Sequence, residues 1–182
     1  VNGPRLLIDA CVLFPTVMRA MVLEAAAEGL FTPLWSERIL EEWARAAARL
    51  GPAGEAQARG EIALLRAAWP RASLPPAPGL EARLWLPDPN DLHVLAVAVS
   101  GQAAGILTLN AKDFPRNLLA EQELTREDPD SLLMGFWQAH PARIEAAATR
   151  VLAEARRLSD ADWQMRPLLK KARLPRLARA LG

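Results

Sequence analysis

One cysteine, Cys11, stands in a chain of 182 residues. That excludes an internal disulfide and any multi-cysteine zinc site. The two histidines, His93 and His140, lie far apart, so a histidine-based metal centre lacks companions; His93 reads as a surface residue or one supporting a site from behind. No apolar run approaches the roughly 20 residues that a membrane span needs. The start, Val1-Asn2-Gly3-Pro4-Arg5, has no charged-then-apolar signal pattern, so the expectation is a cytoplasmic protein with no membrane partner. Internal repeats and low-complexity tracts are also missing.

What is present suits one globular domain, or one domain with an appendage, long enough for a sizeable core. The net charge of +1 hides an asymmetry. Residues 163–182 carry Arg166, Lys170, Lys171, Arg173, Arg176 and Arg179 without an acid, so +6 sits there and −5 elsewhere.

Taken in order, Arg5–Ile8 is a short apolar run ended by Asp9, the pattern of a buried strand whose end reaches into a loop. Pro15 opens an apolar-periodic helix that ends at Gly29. Residues 31–35 predict a second strand, brief or irregular at Pro33. Ser36 is a good N-cap for a helix over 37–50, with Glu37 favouring its positive end. Gly51-Pro52 stops it, and another helix is expected over about 55–69. Residues 73–79, rich in proline, read as a surface connector, and 81–86 as a weak strand. After Asp113 come a short helical piece and a last strand near 123–126. From Ser131 onward the pattern is helical, broken at Pro141, Pro167 and Pro175. The expected division is 1–128 for the α/β domain and 129–182 for a helical extension.

The stretch Pro87–Phe114 organises the rest. Asp88 and Asp91 precede an apolar helical run, Gly101 and Gly105 break it, and the strand 105–109 leads to Asn110 and Asp113. In a parallel sheet, loops at the carboxyl ends of strands share one edge, where ligand sites gather. Each acid alone reads as a cap or turn residue. Together they imply carboxylates converging in space. Two carboxylates about 4 Å apart repel by roughly 4 kcal/mol at an effective dielectric near 20, so such a cluster asks for a cation or for one acid held protonated.

These patterns resemble the PIN domain, a family of metal-dependent nucleases that includes the VapC-like toxins. The resemblance rests on Leu7-Ile-Asp-Ala-Cys-Val-Leu13, Ser36-Glu-Arg-Ile-Leu-Glu-Glu-Trp43, Asp88-Pro-Asn-Asp-Leu-His-Val-Leu-Ala96 and Ile106-Leu-Thr-Leu-Asn-Ala-Lys-Asp-Phe114. It covers about residues 5–115, nearly two thirds of the chain. It implies a three-layer α/β/α sandwich around a mainly parallel sheet, here with added C-terminal helices. It also implies an endoribonuclease, the toxin of a toxin–antitoxin pair. Carried over by position, the catalytic acids are Asp9, Glu42, Asp91 and Asp113, with Asp9, Asp91 and Asp113 as metal ligands. Glu42 is preferred to Glu41 because it precedes bulky Trp43 and follows Leu40 by two. Asp88, Asn110 and Thr108 take supporting places. One departure is Cys11, where the family often has Asn; a thiol is not expected to replace both functions of an amide.

The chemistry agrees. Phosphodiester hydrolysis needs an activated water and neutralisation of phosphate charge, tasks suited to Mg²⁺ or Mn²⁺ on carboxylate oxygens. Candidate RNA contacts are Lys112, Arg116, Lys170, Lys171 and Arg173. Expected partners are RNA, a small antitoxin protein and, as an option, a second copy of the chain. The competing reading is a PIN-like RNA- or protein-binding module with a weakened metal site. A phosphatase-like or response-regulator domain fits less well, because the first strand is followed by no adjacent acid pair and the last by no suitably placed lysine.

Overall fold

A computed structural model describes residues 3–182; Val1 and Asn2, part of the start read above for a signal pattern, lie outside them. The apolar run Arg5–Ile8 forms strand β1, with Leu6, Leu7 and Ile8 buried. The short helix α1 (Ala10–Leu13) follows at once, then α2 (Thr16–Ala27). Gly29 ends that turn at φ +80°, a conformation open to glycine at no steric cost. Strand β2 (Thr32–Ser36) pairs with β1 in parallel, with Leu6 opposite Pro33.

Pro33 is tolerated because of which way its missing N–H would point. Thr32 N donates toward β1, to Pro4 O, while Trp35 N donates to the other side, to Ala72 O. Residue 33 shares the side of Trp35, and β3 reaches β2 only at Trp35 and Ser36. The proline therefore removes no ladder hydrogen bond.

Helix α3 (Glu37–Ala48) starts where Ser36 Oγ accepts from Ile39 N at 3.2 Å. Helix α4 (Pro52–Ala68) begins earlier than expected. Pro52 occupies its first turn, where the absent N–H is no loss, so the residue read as a stop is also a start.

Two further expectations are corrected. The third strand, β3 (Ser73–Leu74), lies inside the stretch read as a connector. Two residues suffice to pair with Trp35 and Ser36 before Pro75 and Pro76 end the ladder. The weak strand at 81–86 does not form: helix α5 (Pro78–Glu81) opens on Pro78, and a loop follows in which Leu86 is buried without pairing.

A single 3-10 turn (Pro89–Asp91) leads into α6 (Leu92–Ser100), and β4 (Gly105–Leu107) returns beside β1. A Cβ on Gly105 would lie 2.3 Å from Thr125 Oγ1 on the next strand, so the close approach of β4 and β5 requires glycine. Helix α7 (Arg116–Glu121) and β5 (Thr125–Glu127) complete the sheet. Its order is β3-β2-β1-β4-β5 and all pairings are parallel. The architecture is a three-layer α/β/α sandwich with C-terminal helices. The direction of winding reverses between β1 and β4. That is the topological switch point at which a crevice opens outside the strands' carboxyl ends.

The C-terminal region forms α8 (Pro129–Ala139), α9 (Pro141–Leu158), α10 (Met165–Lys171) and α11 (Pro175–Leu181). Helix α9 packs along α2 through Ile144, Ala147, Ala148 and Val151, and Phe136 of α8 stacks on Phe31 at 5.9 Å. Leu168, Leu169, Leu174 and Leu177 are buried, so the basic tail also carries an apolar face. Asp130, itself buried, caps α11 by accepting from Arg176 N at 2.9 Å and Leu177 N at 3.0 Å. One hydrophobic cluster runs from the sheet into these helices.

Candidate metal centre

The crevice at the switch point is built from the residues that leave β1 and β4. Asp9 follows the last residue of β1, and its N–H donates to Leu107 O at 3.0 Å, tying the two strand ends together. Its buried carboxylate accepts from Ala10 N and from Thr108 Oγ1, each at 2.8 Å, and from Cys11 Sγ at 3.4 Å. Burial raises the Asp9 pKa; the bonds from Thr108, Cys11 and Ala10 pull it back, and the charge of Glu42 pushes it up again.

Cys11 departs from expectation. Its thiol donates to Asp9 and accepts from Leu109 N, both at 3.4 Å, so it fills both roles of an amide with longer, weaker bonds. Burial, then the charge of Asp9, pushes the thiol pKa up to about 12, which keeps the proton on sulfur and the donor in place.

The loop after β4 is ordered by Thr108, whose hydroxyl also accepts from Asn110 N at 3.0 Å. Asn110 Nδ2 in turn donates to Asp113 Oδ2 at 2.6 Å. On the neighbouring loop, Asp88 caps the 3-10 turn by accepting from Asn90 N at 2.9 Å. Asp91 stands at the entry to α6, but its side chain makes no capping bond.

Three of the acids come together here. One carboxylate oxygen from each of Asp88, Asp91 and Asp113 lies within 4.8 Å of the other two. Asp9 does not join that trio, although its charge is the strongest of the four neighbouring charges acting on Asp91. Desolvation and the charges of Asp9, Asp88, Asp113 and Glu42 push the Asp91 pKa up to about 6. Asp91 Oδ2 is buried and has no hydrogen-bond partner. No Lys or Arg pairs with the trio among the described residues. Three hard oxygens, with an unpartnered carboxylate oxygen on Asp91, fit a hard divalent cation better than zinc, which favours nitrogen and sulfur.

The adjacent glutamates of α3 point different ways. Glu41 is engaged by Arg59 at 2.9 and 3.0 Å and by Arg45 at 3.5 Å, on the exposed side. Glu42 is bonded to His93 Nε2 at 2.5 Å. His93 is buried at 2% exposure, so the surface alternative read from its sequence position is corrected. Its position on α6, two residues after Asp91, was visible; its partner, on another helix, was not.

Lys112, Arg116, Lys170, Lys171 and Arg173 are all exposed. Lys171 lies 5.2 Å over the Trp163 ring. Arg173 lines a groove of about 520 Å³ together with Cys11 and Asn110, next to the acids.

A family model described as PIN domain matches residues 5–112. No curated protein and no solved structure matches the chain.

Proposed function

The chain belongs to the PIN domain family of metal-dependent nucleases, and from that premise we propose that it is an endoribonuclease, a VapC-like toxin using Mg²⁺ or Mn²⁺. The observation that carries this reading is the trio Asp88, Asp91 and Asp113 with its stranded buried oxygen at the switch point. RNA as the substrate is supported by the exposed cation beside the crevice, Arg173. The toxin role, with a small antitoxin as partner, rests on the motif resemblance over 5–115.

Asp91 and Asp113, with Asp88 beside them, would hold the cation, and Asp9 would face it from the end of β1. Such an ion, when bound, neutralises charge on the phosphate oxygens and lowers the pKa of water. The protein's own part is positioning. Asp9 is locked by three hydrogen bonds, Asn110 orients Asp113, and His93 orients Glu42. Preorganised groups of this kind do not have to be ordered during the reaction.

The test is cleavage of mixed RNA with Mn²⁺, Mg²⁺ or EDTA, with Asp9→Asn as control. Metal-dependent cutting lost in the variant supports the nuclease; RNA binding without cutting under any metal favours the binding module. Two further outcomes are expected. Glu42→Gln should reduce cleavage at least tenfold, whereas Glu41→Gln should change it by less than about twofold, since Glu41 faces Arg59 and Arg45 at the surface. Equal losses would put the wrong residue in the site. Separately, Mn²⁺ at a hundredfold excess over Kd should stabilise the fold by about 2.7 kcal/mol. An unmoved melting temperature at millimolar Mn²⁺ would count against the cation site.

A further inference from the structure

We infer that the groove beside the acids is a subsite for one unstacked nucleotide of single-stranded RNA, with Phe14 stacking its base and Arg173 meeting its phosphate; this rests on the ribonuclease reading above. The groove is lined by Ala10, Cys11, Phe14, Trp43, Asn110 and Arg173, among others. At about 520 Å³ it falls within the range of small-ligand sites. Its walls are continuous with the candidate centre. Cys11 bonds Asp9 and Asn110 bonds Asp113, so a nucleotide seated here carries its neighbouring phosphodiester toward the carboxylates.

The lining chemistry selects the occupant. Phe14 ends α1 and leaves 36% of its surface exposed, unlike Trp43, which is 2% exposed and has Arg19 stacked 4.5 Å from its ring. Phe14 is therefore the aromatic face free to accept a base. The groove contains no acid, and Arg173 is its one cation among the described lining residues. A π-faced base joined to an anion complements an exposed aromatic beside a guanidinium. A duplex would keep its bases stacked inside, so the groove should prefer single strands.

Arg173 is held in place rather than swinging from a free end. Its backbone sits at φ +65°, in the left-handed region where a residue other than glycine is uncommon. The turn is pinned by Arg173 N donating to Lys170 O at 3.1 Å and Leu174 N to Leu169 O at 3.0 Å, with Leu174 fully buried. Of the neighbouring cations, Lys171 lies over Trp163 and Arg176 donates to Ser131, and none but Arg173 lines the groove. The C-terminal helices thus deliver one cation to the groove of the α/β body.

The experiment uses the full chain carrying Asp91→Asn, in EDTA, so that RNA is bound without being cut. The probe is a short fluorescein-labelled RNA of mixed sequence, single-stranded or annealed to its complement. Phe14→Ala should weaken single-strand binding about tenfold, with Phe14→Trp restoring it and duplex binding unmoved. Arg173→Gln should weaken binding and lower the slope of log affinity against log salt by about 0.7, the share of one phosphate contact. Single-strand binding by Phe14→Ala equal to the parent's, or no single-strand binding by the parent, overturns the subsite. Cleavage by the chain with Asp91 intact separates the two ideas. Phe14-dependent binding without any cutting keeps the subsite and removes the nuclease. Cutting with an unchanged KM in Phe14→Ala does the reverse.

Discussion

Asp91→Asn is expected to abolish RNA cleavage, by on the order of a thousandfold or more, while making the metal-free protein more stable. Both effects come from one carboxylate. Asp91 stands among four other acids with one oxygen buried and unpartnered, and its carboxyl is pushed up to about 6 from 3.8. The folded chain therefore holds that proton more tightly than the unfolded chain does. Asp91's contribution to metal-free stability should be greatest below about pH 4 and be lost as pH rises through 6, the reverse of a salt-bridged carboxylate such as Glu37. A fully shielded group with this shift would lose about 3 kcal/mol. Asp91 is only half-buried and water screens it, so about 1 kcal/mol is expected. Urea melts near pH 5 and near pH 8 in EDTA measure the slope, and Asp91→Asn should flatten it. A cation competes with the same proton, so Mn²⁺ affinity should strengthen as pH rises through 6. A variant that loses activity but melts like the parent at both pH values would show that Asp91 is not held against its neighbours' charge.

Arg19→Met should cost about 3 kcal/mol of folding stability, a large effect for a residue outside the acid cluster. The guanidinium is buried between the end of α1 and helices α3 and α4. Nη1 donates to Leu13 O at 2.5 Å and Phe14 O at 3.1 Å, Nη2 pairs with Glu61, and the group lies over Trp43. Methionine fills much of the volume but leaves two carbonyls at the end of α1 without their donor. Glu61 is 31% exposed and can turn to water, which limits the loss. Arg19→Lys keeps a charge without the fork and should recover about half. Chemical denaturation at equal m-values reads the difference. A cost under about 1 kcal/mol would mean that water replaces the fork. Because α1 is capped by Asp9 at one end and Phe14 at the other, the Met variant should also loosen the groove and raise KM for RNA.

Local pattern was enough for the parts of this protein whose cause is local. The apolar run before Asp9, the Ser36 cap with Glu37, the helix after Asp91 and the Gly105 strand each carry their own periodicity or punctuation, and the structure contains all of them. The family followed from four such pieces in order. Boundaries involving proline misled, because a residue read as a break can open the next helix, as at Pro52 and Pro78. Strand β3 escaped because two residues between prolines have no pattern of their own; they become a strand only beside Trp35 and Ser36.

The site shows the same division. The acids were legible as residue types at strand and helix ends, but which of them share an edge was not. Asp88 stands with Asp91 and Asp113, while Asp9 is engaged by Thr108, Cys11 and Ala10. The pairings that orient the site join residues far apart in the chain: Glu42 with His93, Cys11 with Leu109, and the tail's Arg173 with the groove at Cys11. Composition and spacing determined the elements, the family and the supply of carboxylates, since backbone propensity and burial act over a few residues. Only the tertiary structure decided the partner of each polar group, because a hydrogen bond across the sheet depends on how distant segments pack, and no local signal encodes it.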